Sequence, residues 1–304
     1  LDEISYSLIK EGEPYERDFG DFLLHWIDKE PTIQVKTSGS TGNPKTIVLE
    51  KQHMVNSAMA TAKFFNLKAG DSALLCLSGG YIAGKMMLVR AMVLGLELDL
   101  VEPSSTPLLN SNNSYDFCAM VPLQLEASLA KINRIKTIIV GGAPVSRILK
   151  EKVQNVKTRI YETYGMTETI THVAVRKINN DPWVYFRTLP NITIHKDERN
   201  CLVIIAPELN PKPMLTNDMV DLLSDTEFEW LGRYDNIINS GGVKLIPEQI
   251  ESKLETIIKS RFFIAGIPDE RFGQKLILLV EEKEEDKELI NKVKSLQTLV
   301  RYEI

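Results

Sequence analysis

Nine consecutive residues, Thr37-Ser38-Gly39-Ser40-Thr41-Gly42-Asn43-Pro44-Lys45, carry the densest chemistry in this 304-residue chain. Hydroxyls and glycines in such density make a poor core but a good phosphate cradle. Glycine lets backbone N–H groups converge on an anion, the Ser and Thr hydroxyls add donors, and Lys45 adds a fixed positive charge. A flexible Ser/Gly linker has a similar composition, but linkers seldom end in Pro-Lys between two strands. Strands are what flank this stretch: Ile33-Gln34-Val35 alternates before it, and Thr46-Ile47-Val48-Leu49 follows it. A P-loop reads G-x-x-x-x-G-K-[ST] and opens a helix. Here Pro44 stands at the second glycine and the next segment is strand-like, which argues against a P-loop NTPase.

Two later stretches have the right chemistry to work with a phosphate. Ile139-Val140 runs into Gly141-Gly142-Ala143-Pro144, and Tyr164-Gly165-Met166-Thr167-Glu168-Thr169 follows a further strand-like run. Turns at the carboxyl ends of strands are where doubly wound sheets bind ligands. Singly, Tyr164 reads as a half-buried aromatic and Glu168 as a solvated charge. In this order, behind the Ser/Gly loop, the three motifs resemble those of the adenylate-forming superfamily, which includes acyl-CoA synthetases, luciferases and peptide-synthetase adenylation domains. The resemblance spans residues 35–304.

That resemblance implies a reaction in two steps. A carboxylic acid attacks the α-phosphate of Mg²⁺-bound ATP to give an acyl-adenylate and pyrophosphate, and the thiol of coenzyme A then displaces AMP. It implies that Thr37, Ser38, Gly39, Ser40, Thr41, Gly42 and Lys45 hold the β- and γ-phosphates. Gly141, Gly142, Ala143, Tyr164 and Gly165 would take the nucleotide, Thr167 would offer a hydroxyl, and Glu168 would be the carboxylate for Mg²⁺. Thr216-Asn217-Asp218 is similar to the family's Thr-Gly-Asp, in which the aspartate accepts from the ribose hydroxyls; Asn217 replaces the glycine, and Asn also tolerates positive φ. Gly232-Arg233-Tyr234-Asp235 and Ser240-Gly241-Gly242-Val243-Lys244 resemble the link between the family's two domains. Arg233 would contact ribose and phosphate, Asp235 would be the hinge, and Gly241, Gly242 and Lys244 would approach the nucleotide and the thiol. Read without the family, Gly241-Gly242 is a hairpin turn and Pro247 a helix start. The family's Gly-Lys segment, which contacts the reacting carboxylate, is not among these residues. A protein ending at Ile304 is therefore expected to form acyl-adenylate poorly while still converting supplied acyl-adenylate to thioester.

Within the superfamily the Gly-Gly-Ala-Pro-Val-Ser and Tyr-Gly-Met-Thr-Glu-Thr-Ile-Thr-His-Val runs are most similar to the o-succinylbenzoate–CoA ligases of menaquinone synthesis. Tyr81, Lys85 and His172 are the expected acid-binding residues. Gly80-Tyr81 stands where relatives show an aromatic-His pair, a difference in the acyl pocket. Tyr81 and Lys85 are four apart on one expected helix, so Lys85 is expected to face the second carboxylate of the acid; a solvated surface lysine is the alternative. Another acyl- or aryl-CoA synthetase, and a non-catalytic nucleotide-binding relative, are the other readings.

The elements that must carry these residues follow from hydrophobic period. Apolar runs at 73–77, 117–121 and 137–140 read as buried strands, with helices expected over 51–65, 81–94, 122–130 and 146–153 between them. Strand–helix alternation implies an α/β fold with a largely parallel sheet. Past Trp183 short alternating runs imply a small antiparallel β subdomain, and 249–280 reads as helix, strand, strand, with a charged helix at 286–296. The expected domains are residues 1–232 and a small mobile α+β lid at 233–304.

Net charge −5 gives no footprint for nucleic acid, and no apolar run reaches the roughly 20 residues of a membrane span. Cys76, Cys118 and Cys201 are scattered and lack metal-ligand spacing, so they are expected to be reduced core residues of a cytoplasmic protein.

Overall fold

A computed structural model describes residues 1–36, 46–109 and 111–281. The phosphate-loop candidates Thr37 to Lys45 and the helix expected at 286–296 lie outside the described residues. Contacts group the chain into two units: Leu1–Thr193 with Ile205–Met214, and Ile194–Ile204 with Leu215–Ile304. The boundary expected after residue 232 falls inside the second unit.

The first unit opens with α1 (Asp2–Lys10) and α2 (Pro14–Ile27). Pro14 sits at the first helical position of α2, and Glu13 and Glu16 close a capping box over it. The hairpin β1 (Thr32–Lys36) and β2 (Thr46–Glu50) pairs antiparallel, Lys36 opposite Thr46, so both strands expected around the Ser/Gly loop are present. Next come α3 (Lys51–Phe65), β3 (Ser72–Leu75), α4 (Ile82–Leu94), β4 (Glu97–Leu100), β5 (Tyr115–Met120), α5 (Pro122–Ala127), β6 (Ile135–Val140), α6 (Arg147–Lys152), β7 (Arg159–Gly165), β8 (His172–Lys177) and β9 (Phe186–Thr188). Asn66 and Gly95 end α3 and α4 in the left-handed conformation that releases the chain from a helix.

Strands β4, β3, β5, β6 and β7 lie side by side and parallel, and β8 and β9 add antiparallel neighbours beyond β7. Covered on both faces, the parallel strands are apolar at almost every position. Leu74, Cys118, Met120, Ile138 and Val140 pack into a core on one face, while Leu75, Phe117, Ala119 and Ile139 pack on the other. That near-continuous burial is why these strands were readable as apolar runs.

The second unit contains strands β10 (Thr193–Lys196), β11 (Cys201–Ile205), β12 (Met214–Leu222) and β13 (Glu227–Arg233), adjacent in that order. It also holds a four-stranded sheet of β14 (Ile238–Ser240), β15 (Val243–Leu245), β16 (Phe262–Asp269) and β17 (Gly273–Val280), ordered β15-β14-β17-β16. Helix α7 (Pro247–Leu254) starts on Pro247, as expected, and buries Ile250 and Leu254 with Ile238, Ile264 and Leu276. The fold is thus α/β with smaller antiparallel sheets, as expected. The three cysteines are free and buried, and among the described residues no helix is long and apolar enough to cross a membrane.

Candidate nucleotide and acid site

Parallel pairing puts the carboxyl ends of β3, β5, β6 and β7 at one edge, so the turn Gly141–Pro144 and the segment 164–168 emerge as neighbours. Thr163 Oγ1 donates to the Val140 carbonyl (3.0 Å), and a Cβ on Gly141 would lie 2.4 Å from that hydroxyl oxygen. Gly142 has φ +83°, which favours glycine. This turn is backbone rather than side chain at its surface, as an anion or adenine site requires.

What holds the turn is a residue the sequence did not single out. Glu162, 5% exposed on β7, accepts from the Val145 N–H (2.9 Å), from Arg176 Nη2 (2.7 Å) and from Lys150 Nζ (3.1 Å). Burial opposes its ionisation, but Arg176, Lys150 and the Val145 N–H together hold the carboxyl below its usual value. Glu162→Gln is expected to cost about 2 kcal/mol of unfolding free energy at neutral pH, measured by urea denaturation. A carboxyl with a lowered folded pKa stabilises above its unfolded value of 4.5 and loses that stabilisation as pH falls through the folded value. The wild-type minus E162Q difference should therefore shrink below pH 4.5; a pH-independent difference would contradict the ionic account.

Tyr164 is half-buried, its ring edge-on to Phe186 at 6.1 Å. Gly165 pairs with His172 beside a break in register, and a Cβ there would lie 2.2 Å from the Thr171 carbonyl oxygen. Thr167 and the exposed Glu168 sit on one 3-10 turn, Thr167–Thr169. Ile170 follows at φ +68° and ψ −59°, with the Thr171 N–H donating to the Thr169 carbonyl (2.8 Å), a γ-turn that strains a β-branched residue. Its side chain is buried among Met54, Met86 and Val89. Packing thus holds the strained turn between Glu168 and Thr171.

Beyond that turn lies a buried polar cluster. Arg90, 2% exposed on α4, donates from Nη2 to Thr171 Oγ1 (3.1 Å), while its Nε has no partner. No acidic side chain pairs with it among the described residues. Burial alone brings its pKa down to about 10, so the guanidinium remains charged at neutral pH. Thr171 Oγ1 also lies 3.2 Å from His172 Nδ1 and 3.4 Å from Ser57 Oγ. Burial first, and the Arg90 charge second, hold the His172 imidazole well below its usual value, so it is neutral. His172 Nε2 is buried and without a partner, and it carries the ring proton in the tautomer in which Thr171 donates to Nδ1. Ser57 and His172 line a small cleft with Asn56, Ala60, Leu189 and Ile192. Arg90 Nε and His172 Nε2 are thus two buried nitrogens without a hydrogen-bond partner among the described residues.

The expected pair Tyr81 and Lys85 brackets the first turn of α4, the Lys85 N–H donating to the Tyr81 carbonyl (3.2 Å). Tyr81 is exposed and is the residue before the first turn of α4. Lys85 is half-buried, donates to the Gly79 carbonyl (2.6 Å) and lies 5.9 Å from the Phe22 ring centre. Burial lowers its pKa and Asp18 partly opposes that.

In the second unit, Asp218 on β12 is 9% exposed and accepts from Trp230 Nε1 (3.1 Å); Arg233 Nη1 is 3.6 Å away. Asp235 lies in a 3-10 turn, Tyr234–Asn236, between β13 and β14. Gly241 and Gly242, at φ +57° and +82°, form the two-residue turn of the β14–β15 hairpin, and Lys244 is exposed on β15. Among the described residues no group of three or more His, Cys, Asp or Glu could hold a metal. A single carboxylate such as Glu168 still fits Mg²⁺, which keeps waters and phosphate oxygens as its other ligands.

The profile of the AMP-binding enzyme family matches residues 30–198. The chain belongs to that family. It is 29% identical over 280 residues to a "Probable 2-succinylbenzoate–CoA ligase" of Mycobacterium tuberculosis, covering 84% of this chain and 72% of that one. The crystal structure of an acyl-CoA synthetase (AMP-forming)/AMP-acid ligase II-like protein from Dyadobacter fermentans is 37% identical, with TM-score 0.70, covering 93% of this chain and 84% of the other. O-succinylbenzoate coenzyme A synthetase of Bacillus subtilis, solved with ATP and magnesium, shares the fold at TM-score 0.71 and 19% identity, over 96% of this chain and 74% of the other. Curated 2-succinylbenzoate–CoA ligases that the chain matches are spanned over 60% to 72% of their length.

Proposed function

We propose that this AMP-binding family member is an AMP-forming acid–CoA ligase whose acid carries a second carboxylate, 2-succinylbenzoate being the reading that the relatives favour. The observation that carries the acid class is Arg90. A buried cation without a counter-ion is costly, and it persists where a ligand supplies the opposite charge. A carboxylate accepting from Arg90 Nε would supply that charge and satisfy the unpartnered N–H.

In this reading a carboxylate oxygen attacks the α-phosphorus of ATP, the bond to the β-phosphate oxygen breaks, and pyrophosphate leaves. Magnesium bound with ATP neutralises phosphate charge as the anionic acid approaches. Glu168 holds that ion, Lys45 and the loop around it hold the outer phosphates, and Thr167 donates a hydroxyl. Asp218 accepts from the ribose hydroxyls and Arg233 faces ribose and phosphate. The thiol sulfur of coenzyme A then attacks the acyl carbon and AMP departs. No side chain forms a covalent bond. The mobile lid at 233–304, hinged at Asp235, belongs to the same reading, as do the approach of Gly241, Gly242 and Lys244 to nucleotide and thiol.

The test is acid-dependent exchange of pyrophosphate into ATP over a panel of acids, followed by thioester formation with coenzyme A. The expected result is exchange with 2-succinylbenzoate at least about tenfold faster than with benzoate or with an analogue esterified at the second carboxylate. Equal rates across the panel would reject the diacid reading, and a protein that neither supports exchange with any of the acids nor converts supplied acyl-adenylate to thioester would reject the ligase reading.

A further inference from the structure

Asn217 occupies the position where the Thr-Gly-Asp pattern has glycine, and its amide is fully used. Nδ2 donates to both carboxylate oxygens of Asp235, at 3.0 and 3.2 Å. Oδ1 accepts from Arg199 Nη1 at 2.9 Å. These partners fix the amide orientation, because the reverse flip would set an NH₂ against a guanidinium and a carbonyl against a carboxylate. Arg199 is itself anchored: Nε donates to Asp197 Oδ2 (2.9 Å), Nη2 donates to the Thr216 carbonyl (3.1 Å), and the guanidinium lies 5.4 Å from the Tyr234 ring centre. On the other side Asp235 Oδ2 accepts from Arg233 Nη2 (3.1 Å), and Arg233 Nη1 reaches to 3.6 Å from Asp218. The contacts run as one line, Arg199–Asn217–Asp235–Arg233–Asp218. A glycine at 217 would break it between Arg199 and Asp235.

We propose that Asn217 is a positioning residue for nucleotide binding: by holding the Asp235 carboxylate it sets the Arg233 guanidinium beside Asp218. Without the amide, Asp235 is free to rotate and Arg233 loses the contact that draws one of its nitrogens away from solvent. Asp235 and Arg233 are both exposed, so their own attraction alone is a weak restraint on two flexible side chains. The anchored Asn217 supplies the missing order. The inference rests on the ligase reading for the identity of the nucleotide.

The experiment measures the ATP dissociation constant of the full chain by calorimetry in the presence of Mg²⁺, for wild type and three variants. Asn217→Asp sets two carboxylates against each other and should weaken ATP about tenfold, a factor that 1.4 kcal/mol represents. Asn217→Gly, which removes the amide without adding charge, should weaken it about threefold. The exchange Asn217→Asp with Asp235→Asn restores one amide facing one carboxylate but leaves Arg233 an uncharged acceptor, so it should recover about threefold of the tenfold that Asn217→Asp loses. Loss and recovery of ATP affinity at an unchanged melting temperature is what a merely structural role for Asn217 would not produce. ATP binding by wild type that Asn217→Asp leaves unchanged, or a double variant no better than the single one, would overturn the positioning role alone. Wild type that fails to bind ATP would overturn the ligase reading, and this inference with it.

Discussion

Glu168→Gln is expected to lower acid-dependent pyrophosphate exchange by roughly 10²-fold or more, the usual cost of removing one charged group aimed at a transition state. Glutamine keeps the length and shape of the side chain and removes only the charge that would hold Mg²⁺. Glu168 is exposed on the 3-10 turn, so the substitution should leave the fold intact, with a change in unfolding free energy within about 0.5 kcal/mol. Activity and stability thus separate in a single variant. Raising Mg²⁺ should recover part of the lost rate, because a weakened ion site refills by mass action. Exchange at the wild-type rate would remove Glu168 from the proposed chemistry. Lys45→Ala is expected to act with similar size through the outer phosphates, an expectation that rests on the sequence motif.

The strands that place Glu168 were legible because parallel strands buried on both faces are apolar almost without interruption. Residues 73–77, 117–121 and 137–140 could scarcely read as anything else. Helix starts at Pro122 and Pro247 were legible for a local reason: proline fits a first turn, whose N–H groups have no helical acceptor. Tyr81 was assigned to α4 and stands just before it as the capping residue, a one-residue difference that keeps the four-residue relation, since the Lys85 N–H donates to the Tyr81 carbonyl (3.2 Å).

The missed residues share a physical cause: their roles depend on partners far away in sequence. Glu162 lies in an ordinary strand, and only its pairing with Val145, Lys150 and Arg176 makes it the residue that holds the Gly141 turn. Asn217 was noted as a tolerated replacement for glycine, yet its partner Asp235 lies 18 residues on, in another element. Helix α1 escaped because the chain's first thirty residues mix charge and aromatic side chains without a long apolar period. Arg90 did leave a signal. Met86-Met87-Leu88-Val89-Arg90-Ala91-Met92 is an apolar helix interrupted by one charge, and α4 is buried on so many sides that the arginine could not turn to solvent.

That burial gives Arg90→Met two effects of opposite sign. Methionine follows much of the same volume with no charge, so the folded protein should gain about 1–2 kcal/mol, as buried charges replaced by apolar groups often do. Removing the cation should also let His172 protonate more readily, because Arg90 is one of the two influences depressing it. Stability lost to a histidine buried neutral sets in as pH falls below its unfolded value of 6.5, and that loss should become shallower in the variant. Activity should move the other way. For 2-succinylbenzoate, kcat/KM should fall roughly 10²-fold, the scale of an interfacial charge pair left with one partner. For the analogue esterified at its second carboxylate the change should be small, since no charge there seeks the guanidinium. The discriminating measurement is the ratio of the two acids in wild type and variant, together with urea unfolding of both proteins. A variant that is less stable and loses activity equally toward both acids would show Arg90 to be a packing residue. A variant that is more stable and blind to the second carboxylate would identify the buried guanidinium as the group that selects the acid.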